Sequence, residues 1–355
     1  MVEQQKWLDQ PVAMRGEDTL DAGAVADFAR QHLPGVTGIP EIRQFRGGAS
    51  NLTYQLSFGD TEYILRCAPS GTKAKSAHDM EREFQVMRQL KPFYPAVPQV
   101  IVYCDDISVI GRPFYIMEKK RGIILRANLP EGLTMSPEAV RALCCGALDQ
   151  LIALHQIDLH KAGLAGFGKG EGYIRRQVAG WSDRYQKAKT WNVPGFAGVM
   201  NWLKNNMPER EHICFIHNDF RFDNLVLDPD NPQCISGVLD WEMATVGDRF
   251  MDLGNTLAYW VQEDDDWILK SFRKQPTHLP GMLTRREVVA YYCEKTGINL
   301  ESFRFYEVYG LFRLAAIVQQ IYFRYYHRQT HNPAFRNFWF LVHYLHYRSK
   351  KTIRI

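Results

Sequence analysis

FIHNDFRFDNLVL (215–227) and ISGVLDW (235–241) set three polar side chains at fixed intervals between two apolar segments that read as strands. Asp219 can take a proton from a hydroxyl, and Asn224 can hold a metal ion from the same short loop. Asp240, at the end of the next strand, can hold that ion too. LVL (225–227) and SGVLD (236–240) read as a buried hairpin with DPDNP (228–232) as its turn. A loop that only caps itself through Asx hydrogen bonds requires neither a hairpin nor a third polar residue, so the spacing points to a phosphoryl-transfer site.

Upstream, QFRGGASNLTYQLSFGDTEYILRCAP (44–69) reads as two or three strands: Tyr54, Leu56 and Phe58 alternate, Gly59-Asp60 turns the chain, and Tyr63-Ile64-Leu65 returns. Gly47 and Gly48 let the backbone approach phosphate oxygens, with Ser50 and Asn51 as further donors. On these residues alone an ordinary hairpin end reads equally well. SAHDMEREFQVMRQL (76–90) places Met80, Phe84, Met87 and Leu90 on one helical face, with Ser76 or Asp79 near its start. RPFYIMEKKRG (112–122) is an apolar strand that turns abruptly charged.

These residues resemble the aminoglycoside phosphotransferase and choline kinase group, a branch of the protein-kinase-like fold. The resemblance implies a bilobal α+β fold, with a small antiparallel-sheet lobe and a larger, mainly helical one. It implies ATP and Mg²⁺ as cofactors, Asp219 as catalytic base, Asn224 and Asp240 as metal ligands, and His217 as a brace of the loop. The family often carries Gly where this chain has Asn218, which adopts positive φ less freely. Kinase-like folds put a phosphate-binding lysine on the strand after the glycine loop, and here that residue is Arg66, with Lys73 and Lys75 nearby. Arginine keeps its charge and grips phosphate with a fork of different geometry. Glu83 is implied as the acid that steadies this base, with Glu81 as its competitor. Met117, Glu118 and Lys120 fall where the chain crosses between lobes and offers backbone groups to adenine. Asp252 is expected to open an apolar helix from Leu253 onward and to brace the loop, while Glu242 is placed either in support of the metal or on the surface.

More narrowly, QFRGGASNLTY, GRPFYIME, HNDFRFDN and LDWEMATVGDRFMDLG resemble the kinase-like domains fused to, or encoded beside, acyl-CoA dehydrogenases, where Arg commonly replaces the strand lysine. That resemblance implies a small-molecule hydroxyl substrate, first a hydroxyacyl thioester or related lipid-derived alcohol, second an aminoglycoside or choline-like alcohol. A nucleotide-binding protein that has lost catalysis is the competing class. Asp219, Asn224 and Asp240 together argue against it, since a pure binder needs no base.

Other signals lead elsewhere. GFGKGEG (166–172) imitates a dinucleotide loop, but no strand precedes it. His327 and His331 lack an intervening Glu, and Asn332-Pro333 ends any helix there, so zinc is not expected. His155 shares an apolar stripe with Leu148, Leu151 and Ile152 and reads as a core histidine. The aromatics of the basic C-terminus, among them Tyr322, Tyr326, Trp339 and Tyr344, recur at helical intervals, which favours two amphipathic helices over a nucleic-acid surface. Tyr173, Arg176, Gln177, Trp181 and Tyr185 lie at helix-like spacing where kinase-like small-molecule enzymes insert substrate-selecting helices.

A length of 355 residues, 46% of them hydrophobic, gives room for about two domains and a sizeable core. Residues 1–34 read as an arm plus one helix, 35–117 as the small lobe and 118–355 as the helical lobe. A net charge of +4 does not by itself call for nucleic acid. The seven cysteines follow no metal spacing, which points to a reduced compartment. With no stretch of membrane-spanning length and no signal-peptide core, the expectation is the cytoplasm.

Overall fold

The structure, a computed structural model, describes residues 6–45, 51–69 and 79–354. Gly47, Gly48, Ser50, Lys73, Lys75 and Ser76 lie outside the described residues.

Strands β1 (Glu41–Gln44), β2 (Leu52–Phe58), β3 (Thr61–Cys67), β4 (Val100–Cys104) and β5 (Phe114–Glu118) form an antiparallel sheet in the order β1-β2-β3-β5-β4. Gly59, at φ 59°, supplies the left-handed residue of the turn that pairs Phe58 with Thr61. Alternation along the strands then decides which face each side chain takes. Leu65, Cys67, Tyr54, Leu56, Phe114 and Ile116 pack with Val25, Ala29 and Leu33 of the first helix region, whose helix spans Ala22–His32. Ile64, Tyr115 and Met117 face the other way, into the main core with Phe84 and Met87 of the helix Met80–Leu90. Arg66, two residues from Ile64, therefore emerges on the side of that second helix.

The remainder is largely helical, with two small antiparallel ribbons. β6 (Ile213–Ile216) pairs with β9 (Thr245–Asp248), and β7 (Leu225–Leu227) pairs with β8 (Ile235–Val238). The hairpin read from LVL and SGVLD forms, but its second strand ends two residues before Asp240. The helix that follows spans Arg249–Ala258 and is opened by Asp248, whose carboxylate accepts from the Phe250 and Met251 amides. Asp252 lies inside its first turn, not at its cap, because β9 runs into the helix without a connecting loop.

Helix Tyr173–Ala188 turns its aromatic stripe inward: Tyr173, Trp181 and Tyr185 are buried, and Tyr185 packs against Phe196 and Phe312. Helices Arg304–Tyr326 and Phe338–Arg354 close the molecule, burying Tyr322 and Tyr344 and leaving Tyr326 and Trp339 exposed. No helix among the described residues is long and apolar enough to cross a membrane.

Candidate active site

β6 ends at Ile216 and delivers the chain into a loop fastened from below by one buried acid. Asp252 Oδ2 accepts from the His217 amide at 2.8 Å and lies 3.1 Å from His155 Nε2, whose other ring nitrogen meets the Tyr292 hydroxyl at 2.6 Å. Burial pushes the His155 imidazole below its ordinary range, so it sits in the core as a neutral, hydrogen-bonded ring. His217 in turn joins two segments: its Nδ1 accepts from the Asp219 amide at 3.3 Å, and its Nε2 lies 3.0 Å from the Leu239 carbonyl. That pattern requires the tautomer protonated on Nε2.

Asn218 takes φ 61°, a conformation that asparagine tolerates better than other residues bearing a Cβ. Its side chain is committed: Oδ1 accepts from Tyr173 and Asn255 at 3.2 Å each, and Nδ2 donates to the Met243 carbonyl at 3.1 Å. Compared with a glycine, asparagine at this position thus gives up backbone freedom and adds three hydrogen bonds.

Beyond it, Asn224 Nδ2 donates to the Asp219 carbonyl at 2.9 Å and lies 3.3 Å from Asp219 Oδ2, which binds the two residues into one unit. Asp240, at φ 67° and ψ 67°, swings its carboxylate back toward the five-stranded sheet. There Arg66 meets it, with Nη2 2.7 Å from Asp240 Oδ1 and Nη1 2.9 Å from Glu83 Oε1. Glu81 is exposed, so Glu83 is the acid paired with Arg66. Burial works against the charge on Asp240, yet Arg66 holds its carboxyl below the ordinary range. Burial pushes Glu83 the other way, against the pull of Arg66. Glu242 is not a surface residue: it accepts from Asn51 Nδ2 at 2.7 Å and stands 3.7 Å from Arg66.

Arg66, Met117, Glu118, Lys120, Asn224 and Asp240 line one cleft, joined by Leu8 and Asp9 of the N-terminal arm. Glu118 is partly spent inside the protein, its amide on the Gln99 carbonyl and its carboxylate on the Gln99 amide, Lys91 and Lys120. Sequence reading missed Arg221. Its Nη2 lies 3.0 Å from Asp219 Oδ2, its Nε 3.3 Å from Asp223, and its guanidinium 4.7 Å from the Tyr259 ring. Its place in HNDFR, two residues after Asp219, was the available signal.

A profile of the phosphotransferase enzyme family matches residues 41–288. The chain belongs to that family. It is 38% identical over 305 residues to acyl-CoA dehydrogenase family member 10 of Mus musculus, a match covering 84% of this chain and 28% of the relative. The corresponding share of family member 11 of Homo sapiens is 39%, so the chain spans well under half the length of these curated relatives. A Ralstonia eutropha protein bearing the provisional name aminoglycoside phosphotransferase superposes with a TM-score of 0.79 at 26% identity, over 95% of this chain and 99% of that one. Choline kinase from Cryptosporidium parvum superposes with a TM-score of 0.62 at 13% identity, over 93% and 96% of the two chains, a likeness of fold alone. The fold is protein-kinase-like, and the family supports activity as a small-molecule kinase.

Proposed function

We propose that the chain transfers the γ-phosphoryl group of ATP to a hydroxyl of a small molecule. The supporting observation is the convergence of Arg66, Asn224 and Asp240 on one cleft, with Asp219 hydrogen-bonded to Asn224. In this reading the acceptor oxygen bonds to phosphorus as the β–γ bridging bond breaks, the acceptor's proton goes to Asp219, and ADP leaves. The residues suit Mg²⁺: Asn224 spends its amide nitrogen on Asp219, leaving its carbonyl oxygen, which with the Asp240 carboxylate makes two hard donors. Bound there, the ion would neutralise charge on the transferring phosphoryl group. Arg66, steadied by Glu83 through Nη1, would turn the Nη2 now on Asp240 toward the phosphates, while the 117–120 segment would take the adenine edge. His217 and Asp252 would hold Asp219 in position without touching substrate.

For the acceptor we favour a hydroxyacyl thioester or related alcohol, supported by the names of the acyl-CoA dehydrogenase relatives. All seven thiols are free, which supports a reducing compartment such as the cytoplasm. The test incubates the protein with γ-labelled ATP, Mg²⁺ and a panel of hydroxyacyl-CoAs, aminoglycosides and amino alcohols. Label should pass to a hydroxyacyl-CoA, and by calorimetry Asp240→Ala should lose Mg²⁺-dependent ATP binding while keeping its fold. Tight ATP binding with no transfer to any acceptor would support a nucleotide binder in place of a kinase.

A further inference from the structure

We infer that Arg313 and Trp181 form a subsite for an oxyanion on the acceptor, so that the hydroxyl substrate carries a carboxylate or phosphate group; this rests on the phosphotransferase reading above. Arg313 lies midway along the buried helix Arg304–Tyr326 and is 5% exposed. Arg66, Arg221, Arg285 and Arg348 each meet a carboxylate, whereas Arg313 has none within ion-pair distance among the described residues. Its Nη2 donates to the Asn218 carbonyl at 3.3 Å, a long bond to the residue immediately before Asp219. Nε and Nη1 make no hydrogen bond within the described residues, yet they are not among the sealed, unpartnered atoms of the interior, so each keeps a little accessible surface.

A second cation shares the aromatic ring that Arg313 packs on. The Arg313 guanidinium stands 5.2 Å from the Trp181 ring, and Arg184 stands 4.6 Å from the same ring. Burial pushes the Tyr309 phenol up to about 12, with Arg313 and Arg184 pulling it down and Asp252 pushing it further up. Arginine cannot shed its proton to escape burial, and a buried cation without a counter-charge is unfavourable. An oxyanion on the substrate would supply a direct ion pair and engage the two idle N–H groups, while the Trp181 ring holds the guanidinium in place.

The test compares the full-length parent with Arg313→Gln and Arg313→Lys, using Mg²⁺-ATP and four matched acceptors. These are 3-hydroxyoctanoate, its primary amide, its pantetheine thioester and its coenzyme A thioester. A carboxylate-reading site makes the free acid better than the amide and the pantetheine thioester; a phosphate-reading site makes the coenzyme A thioester better than the pantetheine thioester. In either case the preference should be about tenfold or more in kcat/KM, as expected for a charge-assisted hydrogen bond. Arg313→Gln should erase it mainly through the acceptor KM, and Arg313→Lys should restore part. The KM for ATP should stay within about twofold, a split that a merely structural contact would not produce. Equal use of charged and neutral acceptors by the parent, or an equal loss on all four in Arg313→Gln, would overturn the subsite. If the parent binds ATP but phosphorylates none of them, the kinase reading fails separately. The subsite is then judged by calorimetric titration of 3-hydroxyoctanoate and coenzyme A: binding abolished by Arg313→Gln supports it, and binding that is absent or unchanged overturns it. Should Arg313→Gln fail to fold by circular dichroism, Arg313→Lys is read in its place.

Discussion

His217 spends both ring nitrogens on the site, one on the Asp219 amide and one on the Leu239 carbonyl, so the proposed base and the residue before Asp240 move as one piece. Asp219 can therefore be altered with its position preserved. Asp219→Asn keeps the size and most hydrogen bonding of the side chain while removing the proton acceptor, and Arg221 retains Asp223 as a partner. ATP binding by calorimetry should hold while phosphoryl transfer falls by about 10²-fold or more, the scale of lost general-base help. A variant that transfers phosphate at the parent's rate would remove Asp219 from that role. Arg66 makes a different case, because one planar fork spans Glu83 and Asp240. A lysine offers a single point charge and cannot hold both, so Arg66→Lys should lower kcat by about tenfold or more although the charge is kept. Unchanged kinetics would mean that another cation positions the phosphates. HNDFRFDN made the pairing of Asp219 with Asn224 legible because the two residues share one loop. Arg313 left no such trace, since its approach to Asn218 depends on how a helix nearly a hundred residues later packs.

At the scale of elements, the segment from β9 into its helix shows where local pattern runs out. TVGDRFMDLG carries two acids one turn apart, and either can cap a helix from sequence alone. The tertiary pairing of β9 with β6 decides the matter by fixing Asp248 in extended geometry, where its carboxylate takes the His212, Phe250 and Met251 amides. Burial nevertheless pushes the Asp248 carboxyl up to about 6, the three amides pulling the other way. The folded value thus lies above the unfolded one, so the native state holds the proton more firmly. The associated stability is fully present below about pH 4 and is lost as pH rises through about 6, amounting to up to about 3 kcal/mol. Asp248→Asn keeps an acceptor for the cap but cannot ionise. Relative to this variant, the parent should lose stability between pH 4 and pH 7 in urea unfolding. A difference that stays constant over that range would show that Asp248 does not titrate with folding.

Across the whole molecule, the five-stranded sheet is sandwiched between two separate apolar layers, and only one of them belongs to the main core. Ile64, Tyr115 and Met117 join the core shared with the helical remainder. Leu65, Cys67, Tyr54 and Ile116 depend instead on Val25, Ala29 and Leu33. The two-lobed plan was legible because strand alternation and helical stripes are written locally in the chain. The role of the first helix was not, since reading residues 1–34 as an arm and a helix says nothing about which surface they cover. The arm is tied in as well: Leu8 bridges Ile123, Val12 exchanges backbone hydrogen bonds with Gln44, and the Trp7 indole reaches the Glu131 carbonyl. Removing residues 1–34 would uncover one face of the sheet that carries Arg66, and with it side chains each contributing about 1.5–3 kcal/mol by burial. A chain beginning at residue 35 should therefore bind an apolar dye, unfold at lower urea than the parent, and lose ATP affinity along with the alignment of β3. If it instead unfolds at the parent's midpoint and binds ATP equally well, the sheet is held by the main core alone and the first helix is an accessory.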